Sequence, residues 1–130
     1  MYYLNLKKNA MKILIVDDDK LMLKAISHNL KTNGYETALA QNGFEALSII
    51  LKEKIDLIIS DIMMPNISGL ELVNLLKQFY FNNIPIIMIS SLDPREVVVC
   101  SLGLNISDFI SKPIDFKKLP LIVKKHLREA

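Results

Sequence analysis

Short apolar runs alternate with longer amphipathic stretches along this chain. Ile13 to Val16, Ile55 to Ile59 and Ile86 to Ile89 carry one polar side chain between them, Asp56. Strands buried on both faces read this way, because a parallel sheet covered by helices leaves neither face to water. Tyr35 to Ala40 includes Glu36 and Thr37, and Ile106 to Ser111 includes Ser107, Asp108 and Ser111, so these two strands are better suited to sheet edges. Between the runs, apolar residues recur at helical spacing over Lys20 to Thr32, Gly43 to Lys52, Gly69 to Phe79, Pro94 to Leu102 and Phe116 to Leu127. This alternation predicts an α/β domain with a doubly wound parallel sheet of five strands. With right-handed crossovers, the order 2-1-3-4-5 puts the two more polar strands outside.

Helix starts support this parsing. Asn42 with Glu45, Ser68 with Glu71, and Asp93 with Glu96 each place a capping oxygen three residues before a glutamate. Asp19 is positioned to cap the first helix. Pro94 falls at a first helical position, where a missing N–H costs nothing, whereas Pro120 falls about one turn inside the last helix and predicts a mild bend there.

At 130 residues, with 51% hydrophobic and 23% charged, the chain is sized for one globular domain, expected over 11–130. Residues 1–10 are polar and precede Met11-Lys12-Ile13, which itself reads like a chain start, so they are expected to form an extension with little fixed structure. A formal charge of +2 argues against nucleic acid as the main ligand, and the crowding of Lys117, Lys118, Lys124, Lys125 and Arg128 reads as a solvated helix face. No apolar run approaches the roughly 20 residues that cross a bilayer, and the first ten residues are too polar for a secretory signal, so no membrane role and a cytoplasmic location are expected. Cys100, the single cysteine, has no disulfide partner and reads as a small core residue in a reducing compartment.

The chemistry gathers at the strand ends. Asp17 and Asp18 follow the first apolar run, Asp61 follows Leu57-Ile58-Ile59-Ser60, and Lys112-Pro113 follows Phe109-Ile110-Ser111. In the order 2-1-3-4-5, strands one and three flank the point where winding reverses, so Asp17, Asp18 and Asp61 meet in the crevice above it. Ser90 and Lys112, ending strands four and five, face them from the opposite rim. Carboxylates so placed repel one another unless a cation neutralises them or a proton is taken up. A hard divalent ion with oxygen ligands is the natural partner, and the set suits phosphoryl transfer. Taken singly, Ser90 and Ser91 would be turn residues and Lys112 one surface lysine among many. His28 and His126 lie in helical segments without a ligand cluster and read as surface residues.

Val16-Asp17-Asp18-Asp19, Asp61-Ile62-Met63-Met64-Pro65-Asn66-Ile67-Ser68-Gly69, Ile89-Ser90-Ser91 and Ser111-Lys112-Pro113 resemble the signature set of response-regulator receiver domains, of the single-domain chemotaxis-regulator type. The resemblance runs from Lys12 to about Leu127, with four motifs in order, each ending a predicted strand. It implies a flavodoxin-like fold in which Asp61 is the phosphoacceptor and takes its phosphoryl group from a histidine of a sensor kinase or phosphotransfer protein. Asp18, Asp61 and the backbone carbonyl of Met63 would bind Mg²⁺ directly, and Asp17 through water. Lys112 and Ser90 would contact phosphoryl oxygens, with Ser90 moving inward and Phe109 turning in behind it as a switch. The bond between Lys112 and Pro113 would be cis. A downstream target would dock on the face made by the segment 94–102, the fifth strand and the last helix, and the molecule would be a monomer or a phosphorylation-dependent dimer. No enzymatic activity beyond its own phosphorylation and dephosphorylation is implied. Met63 and Leu92, apolar where some receivers hold an attacking water with polar groups, imply slow loss of the phosphate. No output domain follows the last helix, which implies either a stand-alone receiver or a piece of a larger regulator or hybrid kinase.

Two other readings meet the same residues. A phosphatase of the haloacid-dehalogenase kind also uses an aspartyl nucleophile with Mg²⁺, but it wants a second aspartate two residues on, where this chain has Met63. A flavin carrier shares the fold, yet Asp17-Asp18-Asp19 would repel the FMN phosphate. Receivers that serve only as interaction modules typically lose one of the acids or the lysine, and all are present here.

Overall fold

A computed structural model describes residues 10–64, 68–78, 83–93, 95–96 and 106–127. Five parallel strands, β1 (Lys12–Val16), β2 (Glu36–Ala40), β3 (Leu57–Asp61), β4 (Ile86–Ser90) and β5 (Asp108–Ser111), form one sheet in the order β2-β1-β3-β4-β5. Four helices stand among the described residues: α1 (Lys20–Thr32), α2 (Gly43–Lys52), α3 (Gly69–Gln78) and α4 (Leu119–His126). The expected order therefore holds, and so do the bounds of α1 and α2. The third strand lies two residues later than its apolar run suggests, because Asp56 is engaged elsewhere, accepting the Lys12 backbone N–H at 2.8 Å. Most of the helix expected over 94–102, with Cys100 and residues 1–9, lies outside the described residues.

Alternation along the strands divides the core into two layers. Ile13, Ile15, Leu57, Ile59, Ile87, Ile89 and Ile110 pack with Leu23, Ile26 and Leu30 of α1 and with Leu119 and Val123 of α4. Leu14, Val16, Ile58 and Met88 face the other way, toward Ala46 and Ile50 of α2 and Leu72, Val73 and Leu76 of α3. Every residue of β3 and β4 is buried, whereas β2 and β5 each keep exposed positions, as their polar residues require at sheet edges.

Local capping follows the sequence with small changes. Asp19 accepts the N–H groups of Leu21 and Met22, Asn42 accepts that of Glu45 at 2.9 Å, and Ser68 accepts that of Glu71 at 3.1 Å. Glu45 reaches back to the Gln41 N–H rather than to Asn42, and Asp93 accepts from Arg95 rather than from Glu96. The last helix begins three residues later than its pattern suggests, with Lys118 as its cap, so Pro120 sits in the first turn. There the missing N–H would have no helical acceptor in any case, and the bend expected at Pro120 is not needed.

Candidate functional site

The register of the sheet assembles the pocket. β1 pairs with β3 so that Val16 lies opposite Ser60, and β3 pairs with β4 so that Asp61 lies opposite Ile89. Asp17 and Asp61 thus end adjacent strands at the same edge. Ser111 lies opposite Ser90, which carries Lys112 to that edge from β5. Parallel pairing makes this convergence obligatory, since all carboxyl ends of the strands point one way.

Asp17 and Asp61 are buried, at 1% and 5% exposure, while Asp18 is exposed. A carboxylate oxygen from each of the three lies within 4.8 Å of the other two. Lys112 Nζ donates to Asp61 Oδ2 at 2.9 Å and to Asp17 Oδ2 at 3.5 Å. The other Asp61 oxygen, Oδ1, accepts the Met63 N–H at 3.1 Å, and Asp17 Oδ1 accepts the Asp19 N–H at 2.9 Å. Each buried carboxylate is therefore fixed by one backbone donor and shares one ammonium.

Electrostatically the pocket is short of positive charge. Burial pushes the Asp17 carboxyl above its ordinary value, and the Asp61 charge adds to this, while the Asp19 N–H and Lys112 oppose it. Burial would lower Lys112, but its hydrogen bond to Asp61 and the charges of Asp61 and Asp17 outweigh that and raise it. One lysine faces three acids, and all three offer hard oxygen donors at a spacing one ion can span. The residues present fit a divalent cation of the magnesium type.

The remaining expected residues are placed as follows. Ser90 is buried, and its hydroxyl oxygen accepts the Leu92 N–H at 2.9 Å. Met63 is 61% exposed, and Leu92 is half-buried against the core. The Lys112–Pro113 peptide is cis. Phe109 lies opposite Met88 with its side chain outward, 37% exposed, and is not gathered into the pocket.

Three features were not foreseen from the residues. Ser60, fully buried, donates to the backbone carbonyl of Asp61 at 3.1 Å. Gly69, named only as the end of a motif, donates its N–H to the Ile62 carbonyl at 2.9 Å and holds the start of α3 against the end of β3. His126 is not a simple surface residue, because it pairs with Asp108 at 2.8 Å and ties the end of α4 to the start of β5. A glycine opening a helix straight after the acidic loop was a usable signal for the second feature. A pair 18 residues apart on different elements left none for the third. Among the described residues no helix is long and apolar enough to cross a membrane.

A family model described as response regulator receiver domain matches residues 13–124. Among solved structures the chain is similar to the chemotaxis response regulator CheY4 of Vibrio cholerae, with 30% identity and a TM-score of 0.85 over 92% of this chain and 100% of that one. It is similar to the signal receiver domain of a signal transduction histidine kinase from Syntrophus aciditrophicus, with 39% identity and a TM-score of 0.81 over 91% of this chain and 90% of that one. The receiver domain of Francisella response regulator 1452 aligns with 33% identity and a TM-score of 0.81, over 88% and 94%.

Proposed function

The chain belongs to the response-regulator receiver family, and from that premise we propose that it takes a phosphoryl group onto Asp61 from the phosphohistidine of a sensor kinase or phosphotransfer protein. The observation that carries the reading is the buried Asp61 carboxylate gripped by Lys112 at 2.9 Å, with Asp17 and Asp18 within reach of one shared ion. An Asp61 oxygen attacks phosphorus; the new O–P bond forms as the N–P bond breaks, and the electron pair returns to the imidazole nitrogen, which takes up a proton. Asp17, Asp18 and Asp61, with the Met63 carbonyl, would hold Mg²⁺, which when bound offsets charge on the incoming group.

The chain's own groups do the rest. Lys112 stays beside Asp61 and pairs with a phosphoryl oxygen. The Ser90 hydroxyl turns inward to donate to another, releasing the Leu92 N–H that it now accepts. Phe109, exposed in this structure, turns in behind it. Lacking a phenolic oxygen, it is held there by packing alone. The altered surface around β5 and α4 then engages a downstream protein. The chain's likeness to both a chemotaxis regulator and a kinase-borne receiver fits this pocket chemistry with either output, including a place within a larger regulator. A hydrolase reading is disfavoured by the exposed thioether of Met63 where an acid would be required.

Mass spectrometry after incubation with acetyl phosphate and Mg²⁺ tests the proposal. One added phosphoryl group is expected, lost on Asp61→Asn substitution; no added mass, or mass retained in that variant, would overturn it.

A further inference from the structure

α2 turns an apolar stripe to solvent. Gly43, Ala46 and Ile50 face the sheet and are buried, while Phe44 and Leu51, two turns apart on the outer side, are 62% and 72% exposed. Ser48 lies between them on the same stripe, four residues beyond one and three before the other. The exposed positions of α3 are Glu71, Asn74, Lys77 and Gln78, all polar, and α1 and α4 each expose one large apolar residue, Leu21 and Leu121. A single exposed leucine is ordinary on a protein surface, but two large apolar side chains aligned on one short helix mark a contact.

Charge decides what the contact is. Glu45 and Lys52 flank the stripe on one side and are themselves seven residues apart, about 10 Å along the helix, too far to pair with each other. Neither forms an ion pair among the described residues. Glu45 is held in place, because its Oε2 accepts the Gln41 N–H at 2.8 Å. Two copies of α2 laid antiparallel about a twofold axis beside Ser48 pair all four groups. Phe44 of each copy meets Leu51 of the other, and because such an axis keeps the same flank of both helices together, Glu45 of each reaches Lys52 of the other. A parallel pairing would set Phe44 on Phe44 and carry the charged flanks to opposite sides. Ser48 at the crossing is small, so the helices can approach closely there.

We infer that the outer face of α2 is a self-association surface, on which a second copy of this chain seats its own α2 antiparallel to the first. The residues of the Asp61 pocket lie on other elements, so the contact does not depend on the phosphoacceptor reading and forms without phosphorylation. Burial of Phe44 and Leu51 drives it, and the crossed pairs of Glu45 with Lys52 fix its direction. Ten residues of helix span about 15 Å, so the area covered is well short of a standard interface and the dimer forms only as concentration rises.

Sedimentation equilibrium of the full chain tests this. The apparent mass should climb from 14.8 kDa toward twice that value as the protein is concentrated from about 10 µM to about 1 mM. Leu51→Glu should hold the chain monomeric throughout, whereas Leu121→Glu, the same change at the exposed leucine of α4, should leave association unaltered. Glu45→Lys and Lys52→Glu should each weaken association by about tenfold or more, because each sets like charges across the seam twice. Combining the two should restore it, which a simple loss of helix stability could not do. The parent chain and Asp61→Asn should associate equally, with or without acetyl phosphate. A monomer at every concentration would overturn the inference and leave the stripe to a helix of some other protein. Undiminished association of Leu51→Glu, no rescue by the combined charge reversal, or association that appears only with acetyl phosphate would overturn it as well.

Discussion

Gly69 approaches the backbone of Asp61 so closely that a β-carbon added to it would lie 2.3 Å from the Asp61 carbonyl oxygen. The neighbouring atoms are backbone, so neither side can yield by a rotamer change. Gly69→Ala must push α3 away from the end of β3, loosening the N–H bond from Gly69 to Ile62. A loss of about 1–3 kcal/mol is expected in urea unfolding, as for other overpacked sites. Because the displaced backbone carries Asp61, the proposed acceptor, acetyl phosphate labelling should also slow.

Lys112 is the one cation shared by Asp17 and Asp61 among the described residues. Lys112→Ala leaves the two buried carboxylates facing each other and, on the proposed reading, removes a partner for the phosphoryl oxygen. Labelling of Asp61 should fall by about tenfold or more, the scale of losing one preorganised charge contact. Affinity for Mg²⁺, measured by titration, should hold or rise, because a competing cation has gone.

Asp17 gives the pocket a pH signature. Its folded value is raised, mainly by burial, so its contribution to stability is fully present below the ordinary carboxylate value of 3.8 and is lost as pH rises through the folded value. At neutral pH and without divalent ions, ionised Asp17 costs stability. Asp17→Asn keeps an oxygen for the Asp19 N–H and should raise the melting temperature by about 2 °C or more under those conditions. Adding Mg²⁺ should stabilise the parent chain and have far less effect on the variant.

The pair formed by Asp108 and His126 titrates in the opposite sense. Burial alone would raise Asp108, but the His126 hydrogen bond, the Phe109 N–H and nearby positive charge lower it below 3.8. Its stabilising contribution is therefore present above that value and disappears as pH falls through the lower folded value. Asp108→Asn should cost roughly 1 kcal/mol near pH 6, within the range of partly exposed charge pairs. The gap between parent and variant should narrow as pH falls below 3.8 and through the lowered folded value, in unfolding curves measured across the range.

The sheet order was legible because β3 and β4 are apolar throughout while β2 and β5 carry Glu36, Thr37, Asp108 and Ser111, a difference that burial on two faces requires. The carboxylate cluster was legible because parallel strands bring their ends to one edge, whatever the loops do. Contacts that depend on close approach left little trace. Gly69 against Asp61 and Asp108 against His126 arise from where helices dock, which no periodicity encodes. Pro120 was misjudged because hydrophobic spacing extends past the first helical residue, and the cap at Lys118 has no side-chain signal.

Slow loss of the phosphate is the last expectation. Hydrolysis needs a water held in line with the O–P bond, and a polar side chain two residues beyond Asp61 or beyond Ser90 is placed to hold it. Here those positions are Met63, whose thioether is exposed, and Leu92, half-buried against the core, and neither offers a donor or acceptor suited to orienting water. Met63→Asn and Leu92→Glu should each speed decay of the acyl phosphate, by about tenfold for a positioned water. Decay followed by mass spectrometry after removal of acetyl phosphate measures this, and unchanged rates in both variants would mean that water reaches phosphorus by a route these side chains do not control.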